Sequence, residues 1–263
     1  YVCEALWRAG AAPARFPPPP RPVKGRAMEF RARSLACRRA GRLVFEGLSF
    51  ALVSGQAAAL RGPNGSGKSS LLRILAGLAP AAAGAASLDG LTLARDGEAW
   101  RERVALAGHL DAVKPAFTVR GNLAAWAAFH GAPPARVDAA LERFGLERLA
   151  EDPAHWCSAG QKRRLGLARL LVTARPVWLL DEPTVSLDAG ATAVFAEVVR
   201  EHCAAGGVAL AATHVDLGFG DTVVTMPARG AAEAGPRHPL GAAPAGAPAR
   251  PDLDDPFLSG DWR

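Results

Sequence analysis

Three short motifs follow one another along this chain, and together they restrict its fold more than any other feature. Residues 62–69 form a glycine-rich segment that matches G-x-x-x-x-G-K-[ST]. Residues 158–162 read Ser-Ala-Gly-Gln-Lys, and the apolar segment 177–180 is followed by two carboxylates, Asp181 and Glu182. The first and third motifs predict a nucleotide-binding α/β domain in which a strand leads into each site. The middle motif is the feature that many such enzymes lack.

The glycine-rich segment predicts a phosphate-binding loop. Its glycines allow successive backbone N–H groups to surround phosphate oxygens at the positive end of the following helix. Lys68 can reach the β- and γ-phosphates, and the Ser69 hydroxyl can bind Mg²⁺. A simple glycine-rich turn that opens a helix is the alternative. The predicted ATP-binding residues of this segment are Gly62, Pro63, Asn64, Gly65, Ser66, Gly67, Lys68, Ser69 and Ser70.

The two carboxylates predict the hydrolytic part of the site. Asp181 ends an apolar strand, where a carboxylate is costly unless it faces a cation, here Mg²⁺ through water. Glu182 is the candidate that polarises the attacking water. The alternative is that this acidic strand end caps a helix beyond Pro183.

The middle motif allows two interpretations. A serine followed three residues later by glutamine is a capping box, with which any helix can begin. The functional interpretation uses the same geometry, in which exposed N–H groups and the helix dipole are offered to the γ-phosphate of an ATP on an opposing subunit. The residues concerned are Ser158, Ala159, Gly160 and Gln161.

His214 follows the predicted strand 208–212 and is the second catalytic candidate. Its order and spacing after Asp181 favour a sensor of the γ-phosphate, although a lone histidine at a strand end is more often structural.

The hydrophobic pattern supports an α/β core with an insertion. Alternating residues from 29 to 50 predict short antiparallel strands, and residues 68–78 predict a helix. Helices at 118–129 and 135–144 form a predicted helical subdomain spanning about 110–157. Beyond it, helix 159–173, strand 177–180, helix 191–202 and strand 208–212 alternate as in a parallel sheet.

From residue 28 to about 226 the chain resembles the ATPase subunits of the ATP-binding-cassette (ABC) family. Segments 35–38, 60–65, 108–115 and 158–164 resemble the branch that serves haem export in c-type cytochrome maturation. The resemblance implies a P-loop NTPase of the ABC ATPase class. This fold has a mixed-sheet RecA-like core, an antiparallel β part and an inserted helical subdomain.

The resemblance also implies how the sites are assembled. Two subunits sandwich two ATP molecules, and the 158–161 segment of one subunit contacts the ATP bound by the other. Residues Ser186, Leu187 and Asp188 fit the loop that crosses the dimer seam in these ATPases. The implied cofactors are ATP and Mg²⁺.

The implied partners are a second copy of the chain and integral membrane permease subunits of the cytochrome c maturation system. The protein would then lie on the cytoplasmic face of the inner membrane as a peripheral subunit, with no nucleic-acid partner. Three alternatives stay open at this point: a cassette for another solute, a soluble ABC protein acting on nucleic acid or ribosomes, and an ATP sensor without hydrolysis.

Two positions depart from the general ABC pattern. His109 and Leu110 stand where the family usually has a glutamine that links Mg²⁺ to the helical subdomain, and leucine cannot bind a metal. His109 is therefore an alternative metal ligand. Arg39 replaces the aromatic residue expected to stack on adenine, and a guanidinium can also stack on a base. Cys157 replaces a common leucine before the 158–161 segment, with little chemical consequence.

Composition and charge set the outer limits. The chain has 263 residues and a net charge of +6, but residues 1–27 carry five basic side chains and one acidic one. The high pI therefore reflects a proline-rich segment that we expect to be disordered or an over-extended reading of the gene. Residues 227–263 are expected to be a disordered tail. The four cysteines form no C-x-x-C pair, which favours a reduced setting, and no apolar stretch approaches about 18 residues.

Overall fold

The computed structural model describes residues 27–215, 217–218 and 222–227. The expectations for the N-terminal segment 1–27 and the tail 227–263 therefore fall almost wholly outside the described residues. Among the described residues, no helix is both long enough and apolar enough to cross a bilayer.

Nine strands and six α-helices make up the described chain. In order along the chain they are β1 Glu29–Arg39, β2 Arg42–Val53, β3 Ala57–Arg61, α1 Lys68–Leu75, β4 Ala83–Leu88, β5 Leu91–Thr92, α2 Gly97–Arg103, β6 Val104–Ala107, α3 Val119–Phe129, α4 Ala135–Arg143, α5 Ala159–Thr173, β7 Val177–Asp181, α6 Ala189–Ala204, β8 Val208–Ala212 and β9 Val223–Thr225.

The strands form two sheets. An antiparallel sheet has the order β2-β1-β4-β5, and a parallel sheet has the order β6-β7-β8-β3-β9. The predicted α/β architecture with an additional antiparallel β part is thereby confirmed.

The parallel sheet is covered on both faces, and its central strands β7 and β8 carry apolar residues at every position except Asp181. All five residues of β7 and all five of β8 are buried. Alternate residues point to opposite faces, so Trp178 and Leu180 join one hydrophobic cluster and Val177 and Leu179 join the other. Such continuous apolar runs are typical of strands buried between two layers of helices.

Several boundaries differ from the sequence prediction. The short antiparallel strands expected between 29 and 50 are two long paired strands, β1 with 11 residues and β2 with 12. Helix α1 ends at Leu75 instead of 78, because the chain turns into the left-handed conformation at Gly77, with φ 72°. Helix α2 and strand β9 were not predicted, since both are short and bury one residue each, Trp100 and Val224.

The helical subdomain is built on α3, α4 and the long helix α5. Thr118 caps α3 by accepting a hydrogen bond from Gly121 N at 2.9 Å. The start of α3 is bonded to the segment before α5, because Val119 N donates to Asp152 O at 3.0 Å. The predicted helices at 118–129 and 135–144 are confirmed to within one residue, whereas the bounds of the subdomain as a unit stay a prediction.

Candidate functional site

The candidate residues come from the ends of three neighbouring parallel strands. The glycine-rich loop follows β3, Asp181 ends β7, and His214 follows β8. The carboxyl ends of parallel strands meet at one edge of the sheet, where ligands bind in open α/β folds. The topology thus brings together segments that are more than 100 residues apart.

Two glycines of the loop are needed because the chain passes close to other segments. Gly67 has φ 99°, and a Cβ there would lie 2.7 Å from Val44 Cγ1 and 2.9 Å from Phe45 Cδ1. At Gly62 a Cβ would lie 2.8 Å from Met226 Cβ. Strand β2 and the segment after β9 therefore hold the loop from both sides.

The loop gathers several polar donors. Lys68 Nζ lies across it and donates to Gly62 O at 2.8 Å and Pro63 O at 3.3 Å. The first N–H groups of α1 have no partner within the helix. The buried Ser66 Oγ also has no hydrogen-bond partner within the described structure. An ammonium, free amides and an unpaired hydroxyl suit a bound phosphate chain.

The predicted metal ligands Ser69 and Asp181 are in contact. Ser69 Oγ donates to Asp181 Oδ1 at 3.1 Å across 112 positions of sequence, and Asp181 is 7% exposed. Two oxygen ligands of this kind fit Mg²⁺, which takes its other ligands from water and phosphate. His109 and Leu110 line the same cavity as this pair. This location is compatible with His109 as a metal ligand, and that role stays a prediction.

Glu182 and His214 lie side by side. His214 Nε2 is 3.4 Å from Glu182 Oε1, and their side chains are 63% and 30% exposed, respectively. Glu182 has φ 46°, a left-handed conformation that costs energy in a non-glycine residue. Its N–H donates to Ala212 O at 2.8 Å, which ties it to β8. The pair can therefore reach a water molecule at the open edge of the sheet.

The 158–161 segment forms a complete capping box at the start of α5. Ser158 Oγ accepts from Gln161 N at 3.2 Å, and Gln161 Oε1 accepts from Ser158 N at 2.7 Å. The capping interpretation of the sequence is therefore confirmed. It leaves the N–H groups of Ala159 and Gly160 unpaired within the helix, and these are the donors open to an anion.

The predicted seam loop packs against this segment of its own chain. A Cβ on Gly160 would lie 2.8 Å from Ser186 O, and Ser186 itself has φ 66°. Leu187 packs on the core. Asp188 caps α6, because its Oδ1 accepts from Ala191 N at 2.7 Å.

Arg39 lies at the tip of the β1–β2 hairpin. It is exposed and pairs with Arg42 across the turn at Ala40 and Gly41. Two residues earlier, Cys37 is buried and pairs with Phe45, which lies against Gly67 just before α1, and this burial raises the pKa of the Cys37 thiol. The hairpin end thus adjoins helix α1, and base stacking by Arg39 remains a prediction.

Arg163, which was not predicted as a site residue, is buried beside Asp181 and Glu182. The run Lys162-Arg163-Arg164 places three cations on α5, but the sequence does not show which of them faces the core. A cavity of about 730 Å³ that extends from Ser69 and Asp181 was not predicted either.

The family model described as ABC transporter matches residues 45–185. The chain belongs to the ABC transporter family. A protein of Cereibacter sphaeroides is 50% identical to this chain over 230 residues, which are 88% of this chain and 98% of that protein. Its name is cytochrome c biogenesis ATP-binding export protein CcmA. The protein of the same name from Paramagnetospirillum magneticum is 53% identical over 192 residues, 72% and 88% of the two chains.

Solved ABC transporter structures share the fold. An ATP-binding subunit of an ABC transporter superposes with TM-score 0.69 at 25% identity, over 75% of this chain and 85% of that chain. An ATP-binding cassette in its ADP conformation superposes with TM-score 0.63 at 22% identity. The predicted resemblance to ABC ATPases of the cytochrome c maturation branch, and the prediction of an ATP-hydrolysing enzyme, are confirmed.

Proposed function

We propose that the chain is the ATP-hydrolysing subunit that powers haem delivery in c-type cytochrome biogenesis. The observation that carries the ATPase part is the row of Ser69, Asp181, Glu182 and His214 at one edge of the sheet. The branch is supported by relatives named cytochrome c biogenesis ATP-binding export protein, which match over up to 98% of their length.

Binding of ATP is assigned to the glycine-rich loop. Lys68 would exchange its carbonyl partners for β- and γ-phosphate oxygens, and the amides of the first turn of α1 would donate to the same chain of phosphates. Ser69 and Asp181 would hold Mg²⁺, which neutralises charge on the β- and γ-phosphates. Arg39 would lie on the adenine side of the site.

Hydrolysis is assigned to Glu182 and His214. Glu182 accepts a proton from the attacking water, and His214 orients the γ-phosphate beside it. We further propose a homodimer in which Ala159 and Gly160 donate their free N–H groups to the γ-phosphate on the opposing subunit. Because ATP then contacts both subunits only in the closed dimer, it favours closure, and hydrolysis permits opening.

The membrane partner is proposed to dock in the 730 Å³ cavity between the helical subdomain and the core. Its walls combine exposed apolar side chains, including Phe129 at 80% and Leu110 at 72%, with a majority of cationic groups. The complementary surface is an acidic segment with an apolar face. The charged residues lining the cavity, apart from Asp181, are Arg73, Arg101, Arg169, Arg175, Glu98 and Glu102. Attachment to a permease on the cytoplasmic face of the inner membrane follows from this proposal.

The test is a haem stain of c-type cytochromes in cells that carry variants in place of the wild-type protein. Lys68→Ala should abolish covalent haem while apocytochrome is still made and exported, because ATP binding is lost. Normal staining would exclude the cytochrome c branch and leave an ABC ATPase with another cargo.

The docking surface is tested in the same cells. Phe129→Asp should reduce haem staining while the purified variant keeps its basal ATPase activity, because only the partner contact is disturbed. Val53→Asp, at an exposed apolar residue (39%) outside the cavity, is the matched control and should behave as wild type. Equal staining of both variants would refute this docking site.

A further inference from the structure

Arg163 is a buried cation that the proposed mechanism does not use. It lies on α5 two residues after Gln161 and is only 4% exposed. All five of its N–H donors have acceptors at 2.7–3.3 Å: Pro183 O from Nε, Gly108 O and Asp111 Oδ1 from Nη1, and Asp181 O and Glu182 O from Nη2. A guanidinium with every donor satisfied is fixed in orientation.

These acceptors belong to two different loops. One is the chain that leaves β7 and carries Glu182, and the other is the 108–111 segment that follows β6 and leads to the helical subdomain. The second loop also lies directly against α5, since a Cβ on Gly166 would be 2.7 Å from Asp111 O. Arg163 therefore joins the helix that begins with the capping box to both loops.

The contact with Glu182 has a specific consequence for catalysis. A left-handed backbone at a non-glycine residue persists only where its surroundings hold it. At Glu182 the N–H is held by Ala212 O, and the carbonyl accepts from Arg163 Nη2 at 2.7 Å and from Val185 N at 3.3 Å. Arg163 supplies the shorter of the two bonds to this carbonyl, so its loss would leave the peptide after Glu182, and the carboxylate beside His214, less firmly held.

We propose that Arg163 is a positioning residue that sets Glu182 and links it to the 158–161 segment of the same chain. The inference rests on the proposed sandwich dimer, in which that segment contacts the ATP on the opposing subunit. Binding of ATP to the opposing subunit thus affects the position of Glu182, which acts on the ATP bound to its own chain. The two sites are coupled through one side chain that bonds three carbonyls of residues 181–183 and two acceptors of the 108–111 loop.

The neighbouring Arg164 provides a matched control. It lies on the same helix, and its Nη1 donates to Phe144 O at 2.9 Å and to Gly145 O at 3.4 Å, at the end of α4. It therefore bonds the helical subdomain, and among the described residues no hydrogen bond joins it to the 181–183 loop. Loss of Arg164 should lower stability without moving Glu182.

The experiment compares Arg163→Lys and Arg164→Lys in the full-length protein. Lysine keeps the charge opposite Asp111 but has three donors and cannot span five acceptors. For Arg163→Lys we expect kcat to fall roughly 10- to 100-fold, with KM changed less than about threefold, because ground-state ATP binding is intact. The Hill coefficient for ATP should fall to about 1. Arg164→Lys should keep both kcat and the Hill coefficient.

A second variant tests whether a loss of activity in Arg163→Lys comes from the lost contacts or from misfolding. Asp111→Asn keeps the shape of the 108–111 loop and removes only the charge, so a fall in kcat and Hill coefficient in the same direction supports the proposal. Wild-type kcat and cooperativity in Arg163→Lys, or equal losses in Arg163→Lys and Arg164→Lys, would overturn it. Absence of ATPase activity in the wild type would instead refute the proposed function.

Discussion

His202 makes the stability of this protein depend on pH in a way that can be calculated. The residue lies on α6, is 7% exposed, and stacks on Trp178 with ring centroids 3.7 Å apart and planes 7° from parallel. Its Nε2 is 3.2 Å from Pro176 O. Gly207 closes the other side, where a Cβ would lie 2.2 Å from Nε2. The ring is thus enclosed by three segments of the core.

Burial lowers the pKa of His202 from 6.5 to about 4, outweighing the opposing hydrogen bonds to the backbone at Pro176 and Val208. The folded protein keeps the imidazole neutral, whereas the unfolded chain protonates it near pH 6.5. The unfolded state therefore gains protons first as the pH falls. The stabilising contribution is complete above pH 6.5 and is lost progressively as the pH approaches 4. The loss between pH 7.5 and pH 5 is about 2 kcal/mol.

The measurement is the free energy of unfolding in urea at pH 7.5 and pH 5, followed by circular dichroism. His202→Phe keeps a ring on Trp178 but cannot take up a proton, so its loss of stability over this range should be about 2 kcal/mol smaller than that of the wild type. His155→Phe, at an exposed histidine, should lose as much as the wild type. Equal losses in the wild type and His202→Phe would refute the assignment.

Two further predictions concern the candidate site. Glu182→Gln should abolish ATP turnover while ATP-bound dimers accumulate, because the amide cannot accept a proton from water; a monomer in size-exclusion chromatography with ATP would contradict the sandwich. Gly160→Ala should lower ATPase activity by displacing the loop at Ser186, whose carbonyl would lie 2.8 Å from the new Cβ. Ala159→Gly is its control and should leave turnover near the wild-type value. Equal activity of the two variants would exclude this role for Gly160.

The parallel core could be predicted from the sequence because periodicity and turn residues agree along it. Strand β8 and helix α5 have the bounds that the pattern predicts. Helix α2 was not predicted because its main contribution to folding is one buried side chain. This side chain is Trp100, whose Nε1 donates to Leu75 O at 2.7 Å. A single long-range contact has no periodic signature, so tertiary structure decides such short elements.

The site was predictable for residues whose chemistry is local to a motif, and not for those that act across loops. The contact of Ser69 with Asp181 follows from two separate motifs once both strands are assigned to one sheet. The contacts of Arg163 do not, because four of its five acceptors are backbone carbonyls, which any residue type supplies. Periodicity marks Arg163 only as a cation on a helix.

Gly160 shows how a motif can be recognised correctly while the reason for one of its residues differs from the expected one. A phosphate contact through backbone N–H groups is available to alanine as well as glycine, and Ala159 occupies the first position of the helix with no glycine at all. At position 160 the requirement comes instead from Ser186 O, 2.8 Å from where a Cβ would stand. The same glycine therefore leaves its N–H unpaired within the helix, available to the proposed opposing subunit, and makes room for the 186–188 loop of its own chain. A change in the conformation of that loop would therefore shift the N–H donors of residues 159 and 160 that would contact the other subunit's ATP.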